Sequence, residues 1–259
     1  MNIDVVISQQ DIEYYLLILV RMTSFVFIAP FFGMSNTPSR TKLGLSVFLS
    51  LIFYNLLPEH TVLYTSLLEY TAIIFKEAVA GLLIGFSAYI CGTVILFSGR
   101  IIDMDIGLSM ASMFDVTTKQ QSTITGSLYN YLLLMLMLIS NMHVFLLSAM
   151  KDSFTLIPIG EVTVNGTLYE TMIGFVTNYF IIGFRIVLPV FVTILVLNVA
   201  LGIMTKVAPQ IHMFAVGVQI KLLGGLIILF LTVSMLPSIA NYIFTMMQEM
   251  VISVMKGMR

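Results

Sequence analysis

The chain has 259 residues, 59% hydrophobic and only 10% charged, with a net charge of −1. Soluble domains carry about 25% charged residues, so the composition argues against a water-soluble monomer, and the near-zero charge argues against a basic nucleic-acid-binding surface. Cys91 is the single cysteine, which leaves no internal disulfide and no cysteine metal cluster.

A membrane-spanning helix needs about 20 apolar residues. Charge-free runs cover 43–58, 78–99, 120–150, 186–205 and 222–248, so an all-α, membrane-associated protein is expected. Ahead of the first apolar stretch stand Asp4, Asp11 and Glu13. A cleaved signal peptide would have a basic region there, so whole insertion is expected. A first helix is expected over 13–32, with Arg21 in its middle and Pro30 and the 33–38 stretch G-M-S-N-T-P ending it. A second follows Arg40 and Lys42 and closes at 55–58. A third starts near Thr71, carries Lys76 and Glu77, and reaches about Phe97. The run 120–150 has 31 residues, more than one crossing needs, and predicts a long, tilted or broken helix. Between Thr171 and Thr205, Arg185 and Pro189 interrupt the apolar pattern; two helices or one kinked helix would fit. Residues 206–221 form a polar junction with Pro209 and His212, and a last helix is expected over 222–248. Tryptophan is absent, so any interfacial aromatic belt falls to tyrosines such as Tyr14, Tyr64, Tyr169 and Tyr242.

The most informative stretch follows the third run. Asp103 and Asp105 stand close together, and a Gly-, Ser- and Met-rich segment leads on to Ser122. Irregular backbone between apolar helices survives where protein or a water-filled path surrounds it, which points to a pore or gate. Met104, Met110, Met113 and Phe114 would suit a soft seal, since methionine adapts to irregular contacts; ordinary core filling is the plainer reading. Basic loops at 34–42 and 206–221 alternate with acidic ones, but the basic tail breaks the pattern of a serpentine bundle.

Small residues at i, i+4, namely Gly81 with Gly85 and Asn198 with Gly202, would let helix backbones approach closely. A charge at a helix centre costs about 2.5–3.5 kcal/mol on insertion scales. Arg21, Lys76, Glu77 and Arg185 therefore need partners, and pairing at subunit interfaces is favoured over a proton pathway, because no mid-helix acid recurs as a relay. Catalysis finds little support. No H-E-x-x-H occurs, and Gly107-Leu108-Ser109 with His143 is too sparse a set for an intramembrane serine protease.

Four blocks carry a resemblance over nearly the whole chain. They are R-M-T-S-F-V-F-I-A-P-F-F-G at 21–33 (with Pro38 and K-L-G-L at 42–45), E-A-V-A-G-L-L-I-G-F at 77–86, G-R-I-I-D-M-D-I-G-L-S-M-A-S-M-F-D at 99–115, and N-V-A-L-G-I-M-T-K-V-A-P-Q-I-H-M-F-A-V-G at 198–217, with Lys221 and Gly225 beyond. In this order and spacing the chain resembles the FliR/SctT family of type III secretion export-gate subunits. The resemblance implies helical hairpins, a FliP-like part followed by a FliQ-like part, within one domain over 1–259 and with subregions of about 1–123 and 124–259. It implies assembly with FliP-like, FliQ-like and FlhB-like subunits at the basal-body ring of the bacterial inner membrane, largely lifted out of the bilayer plane. The assembly would carry unfolded flagellar proteins, without cofactor, metal or catalysis. A plug is implied near 106–122, in particular Ile106, Gly107, Leu108, Ser109, Met110, Ala111, Ser112, Met113, Phe114 and Asp115. Arg21, Pro30, Gly81, Gly85, Asn198, Gly202, Pro209 and Lys221 are the expected packing and assembly positions. Arg100 and Asp105 stand where neutral residues would fit the family pattern, and Val116 where proline would. The competing reading is a secondary transporter with a midplane site at Arg185, Asp103 and Asp105.

Overall fold

A computed structural model describes residues 8–57, 62, 64–109, 123–163, 165–208 and 213–259, the side chains of 167 and 213–215 excepted. Helix α1 (Gln9–Ile28) opens on a capping box: the Ser8 hydroxyl accepts from the Asp11 N–H at 3.2 Å, and the Asp11 carboxylate accepts from the Ser8 N–H at 3.0 Å. The helix stops before Pro30, where Phe31 takes a left-handed φ of 70°. Helix α2 (Ser39–Leu56) starts directly after Pro38. Helix α3 (Leu67–Ile106) runs for 40 residues, straight through Gly99, Arg100 and both aspartates. The expected end near Phe97 is therefore nine residues too early, and the irregular backbone starts only at Gly107.

The long fourth run is broken. Helix α4 (Ile124–Ile139) and helix α5 (Met142–Leu156) are separated by Ser140 and by Asn141 in the left-handed conformation, which asparagine tolerates better than most residues. Helix α6 (Gly166–Val207) is one element of 42 residues with Pro189 inside it. The Thr193 hydroxyl donates to the Pro189 carbonyl at 2.8 Å. Helix α7 (Met213–Thr232), a 3-10 turn (Val233–Met235) and helix α8 (Leu236–Gly257) complete the order. The described residues are helical or irregular, without strand, and the protein is all-α.

Two compact units emerge, neither one a continuous length of chain. The first holds 1–91, 141–175 and 245–259; the second holds 92–140 and 176–244. In the first unit, Leu17, Ile18, Met22 and Phe25 of α1 are fully buried, and Gly81 and Gly85 of α3 let the two helices meet backbone to backbone. A Cβ at Gly81 would overlap the Arg21 carbonyl, and one at Gly85 would lie 3.0 Å from the Phe25 carbonyl oxygen. The end of α8 is tied down when the Thr163 and Asn165 N–H groups donate to the Met258 and Gly257 carbonyls at 3.0 and 3.1 Å.

In the second unit, α3 and α4 touch at Gly99 and Gly126, where a Cβ on Gly99 would overlap the Gly126 Cα. Phe97 packs against Gly183 and makes edge contacts with Phe180 and Phe184, at ring-centroid distances of 5.6 and 5.9 Å. Among the described residues, three stretches are long and apolar enough to cross a membrane: Leu67–Ile106, Leu168–Val207 and Val216–Gly257. Half of the most apolar part of the first is buried within the protein, but only 17% and 11% of the other two. The later helices thus carry wide apolar faces that this chain does not cover itself.

Candidate gate junction

The segment expected to close a channel starts from a fixed root. Ile106, the last residue of α3, is fully buried in a cluster with Ile102 and with Val187, Val190 and Ile194 of α6. From α7, Gly225 meets it: a Cβ there would stand 2.5 Å from Ile106 Cγ1 and 2.7 Å from two more of its side-chain atoms. Only a glycine lets α7 close on Ile106 at that spacing. The chain then turns at Gly107, whose φ of +93° is strained for any L side chain. Its N–H still donates to the Asp103 carbonyl at 3.1 Å, so the break comes one residue after full helical hydrogen bonding. Leu108 folds back on the same cluster, and Ser109 is half-buried. Met110, Ala111, Ser112, Met113, Phe114 and Asp115 lie outside the described residues, as does Pro209.

The two aspartates before this turn do different work. Asp103 is 4% exposed, and both its carboxylate oxygens accept from the Thr125 N–H, at 3.2 and 3.3 Å. It caps the first turn of α4, where free N–H groups and the helix dipole favour a negative charge. Asp105 presents a buried Oδ2 with no hydrogen-bond partner, and the charge of Lys221 on α7 acts on it. Ile106, Asp105, Lys221 and Gly225 thus belong to one packed corner of the second unit. Met104, on the other side of the helix, is 66% exposed.

In the first unit Arg21 and Glu77 pair with each other within the chain, which corrects for these two the expectation of partners on other subunits; Lys76 is exposed. Arg21 Nε donates to Glu77 Oε2 at 2.5 Å with both side chains fully buried. Arg21 Nη1 donates to the Ser153 and Ile157 carbonyls at 3.2 and 3.1 Å, and its guanidinium lies 4.5 Å from the centre of the Phe154 ring. The other Glu77 oxygen accepts from the Gly160 N–H at 2.9 Å. Lys42 reaches back to the Gly33 carbonyl at 2.9 Å, closing the turn that Pro30 opens. His143 rests on Phe31, with ring centroids 5.9 Å apart. Asn198 is exposed, and a Cβ at Gly202 would meet nothing within 4 Å, so among the described residues no other helix packs on this face at Gly202.

The transporter arrangement gains no support. Asp103 is committed to α4, while Arg185 is exposed and lines a cavity that neither aspartate lines. Sequence reasoning did not single out Glu77 as the partner of Arg21, nor Gly126, nor the Asp103 cap. The lone glycines inside apolar runs at 99 and 126 were the available signal for the α3–α4 contact.

Comparison with known proteins adds the family. The profile of the bacterial export proteins, family 1, matches residues 12–247. The chain is 30% identical to the flagellar biosynthetic protein FliR of Buchnera aphidicola subsp. Acyrthosiphon pisum, over 85% of each chain. It is 29% identical to that of Bacillus subtilis, covering 91% of this chain and 92% of the relative, and 25% identical to that of Escherichia coli, covering 88% and 87%.

Proposed function

The chain belongs to the bacterial export proteins, family 1, and from that premise we propose that it is a core, non-enzymatic subunit of the flagellar type III protein export gate. With FliP-like, FliQ-like and FlhB-like subunits it encloses the path of unfolded flagellar proteins at the basal body in the bacterial inner membrane. The segment from Ile106 to Asp115 closes that path, with Ile106 as its fixed root, and export displaces the part beyond the root.

One observation carries the gating part: Ile106 is locked against Gly225 immediately before the left-handed turn at Gly107. A plug has to move while its root stays put. A buried isoleucine in a five-residue apolar core, next to a glycine that redirects the chain, supplies that division. The scarcely buried apolar faces of 168–207 and 216–257 support assembly, since faces of this size need lipid or protein against them. Gly202 and Asn198 lie on such a face and serve partner packing, where small residues allow close helix approach.

Co-expression with FliP- and FliQ-like subunits, followed by native mass measurement in mild detergent, tests the assembly. A discrete complex with one copy of this chain is expected, and a stable isolated monomer would refute it. Deleting 107–121 in that complex should raise ion leakage; unchanged leakage would remove the plug from the proposal.

A further inference from the structure

Arg185 is the single charge between Glu170 and Lys206. Its side chain is exposed and has no hydrogen bond or ion pair among the described residues. The face of α6 that carries it is apolar on both sides. Ile181 lies one turn before it, and Leu188, Val192, Val196, Val199 and Ile203 follow at helical spacing, each 45–60% exposed.

Exposed apolar positions on this helix run from Val176 to Val207, about 46 Å apart at 1.5 Å per residue. The hydrocarbon core of a bilayer is about 30 Å thick. Lipid alone would cover that length only at a tilt of about 50°, beyond the roughly 0–40° of membrane helices. Protein therefore has to cover part of it. Arg185 lies about 14 Å from Val176 and about 33 Å from Val207, so a partner lying along this face closes over a guanidinium. Charges taken out of water in this way are paired.

The second unit leaves room for the counter-charge. A cavity of about 290 Å³ opens beside Arg185, about twice the roughly 150 Å³ of an apolar cavity that holds benzene. Ile95, Ile182 and Ile239 give it apolar walls, while Arg185, Ser238 and Tyr242 give it donors. Among the described residues no carboxylate lines it. Arg185, Ser238 and Tyr242 are all exposed, so the cavity is reached from outside.

We propose that α6 is covered by a partner helix that is apolar apart from one Asp or Glu, whose side chain enters this cavity and pairs with Arg185. A guanidinium takes a carboxylate through two parallel N–H donors, the isoleucines accept the stem, and the Ser238 and Tyr242 hydroxyls are further donors to its oxygens. The inference rests on the reading of this chain as an assembly subunit and gives that assembly a contact of defined chemistry on α6.

The test uses the detergent-purified complex of the co-expressed subunits. Arg185→Lys keeps the charge and supplies an amine, which a carbodiimide couples to a carboxylate in contact with it. Mass spectrometry should find the product joined to an Asp or Glu of another subunit, in a peptide that the unaltered chain does not yield. Arg185→Glu should weaken retention of this chain in the complex about thirtyfold or more, the scale of a buried charge left unmatched at an interface. Replacing the coupled partner acid with arginine should restore it. Ser238→Trp fills the cavity without altering charge and should weaken retention as well. Undiminished retention of Arg185→Glu or of Ser238→Trp, coupling to a carboxylate of this same chain, or no coupling in an intact complex would each overturn the proposal. Those results leave the assembly reading standing. If the unaltered chain enters no complex, that reading falls and this one with it.

Discussion

The pair formed by Arg21 and Glu77 offers the sharpest test of how this protein stabilises its first unit. Glu77→Ala removes the only carboxylate that, among the described residues, pairs with a guanidinium that is 0% exposed. The two carbonyls of Ser153 and Ile157 and the face of Phe154 remain, but they do not neutralise its charge. Breaking one side of a buried pair costs about 3–5 kcal/mol. The Gly160 N–H, which donates to the other Glu77 oxygen at 2.9 Å, also loses its acceptor; since that bond is part-buried, the extra cost is near the low end of about 1–3 kcal/mol. A total of about 4–6 kcal/mol corresponds to roughly three to four decades in the folding equilibrium.

Arg21→Met with Glu77→Leu should regain most of this, because apolar residues of similar volume replace a buried pair without leaving a stranded charge. Thermal and denaturant unfolding of the full-length protein in mild detergent, followed by circular dichroism, measures Glu77→Ala, the singles Arg21→Met and Glu77→Leu, and the double variant. The coupling energy of the double-mutant cycle is the critical number. If Glu77→Ala costs under about 1 kcal/mol, or the double variant is as unstable as the sum of the singles, the pair does not hold the unit together as described.

Gly225→Ala should cost about 1–3 kcal/mol by overpacking, because its Cβ would meet three atoms of a fully buried Ile106. Ile106→Ala should partly suppress the defect, and channel leakage of the assembled gate reads both. Asp103→Ala strips the acceptor from the Thr125 N–H and should lower stability by about 1–2 kcal/mol, as lost caps do. Faster hydrogen exchange confined to the first turn of α4 would identify that cause, and an unchanged exchange pattern would rule it out. The Tyr64 phenol is held above its usual range by its hydrogen bond to Glu13, with burial adding to this. Because the protonated form is the one favoured on folding, its contribution is present below the ordinary phenol pKa and lost as pH rises through the raised value; Tyr64→Phe should remove a late component from the ultraviolet absorbance titration of the tyrosines.

Much of the architecture was legible because it is encoded locally. Gly81 and Gly85 lie on one helix face at i, i+4, and α1 does pack against them. The excess length of 120–150 pointed to a break, although only Asn141 in the left-handed conformation fixes where it falls. The end of α3 was misjudged for a tertiary reason. Arg100, Asp103 and Asp105 look like the end of an apolar helix, yet Asp103 finds its partner on α4, and Ile102 and Ile106 find theirs on α6. The helix therefore persists past the point where hydropathy fades.

The sequence by itself determined the all-α class, the apolar character and the family, because composition, run length and ordered motifs are properties of the chain alone. Only the tertiary structure decided which charges meet. Arg21 finds Glu77 across 56 residues and the Ile157 carbonyl across 136, separations over which spacing carries no information. Asp103 and Asp105 are near-neighbours in sequence, but two helical residues turn through about 200°, so one carboxylate meets the start of α4 and the other the charge of Lys221. Periodicity specifies which face a residue occupies; what stands opposite that face depends on the approach of distant helices.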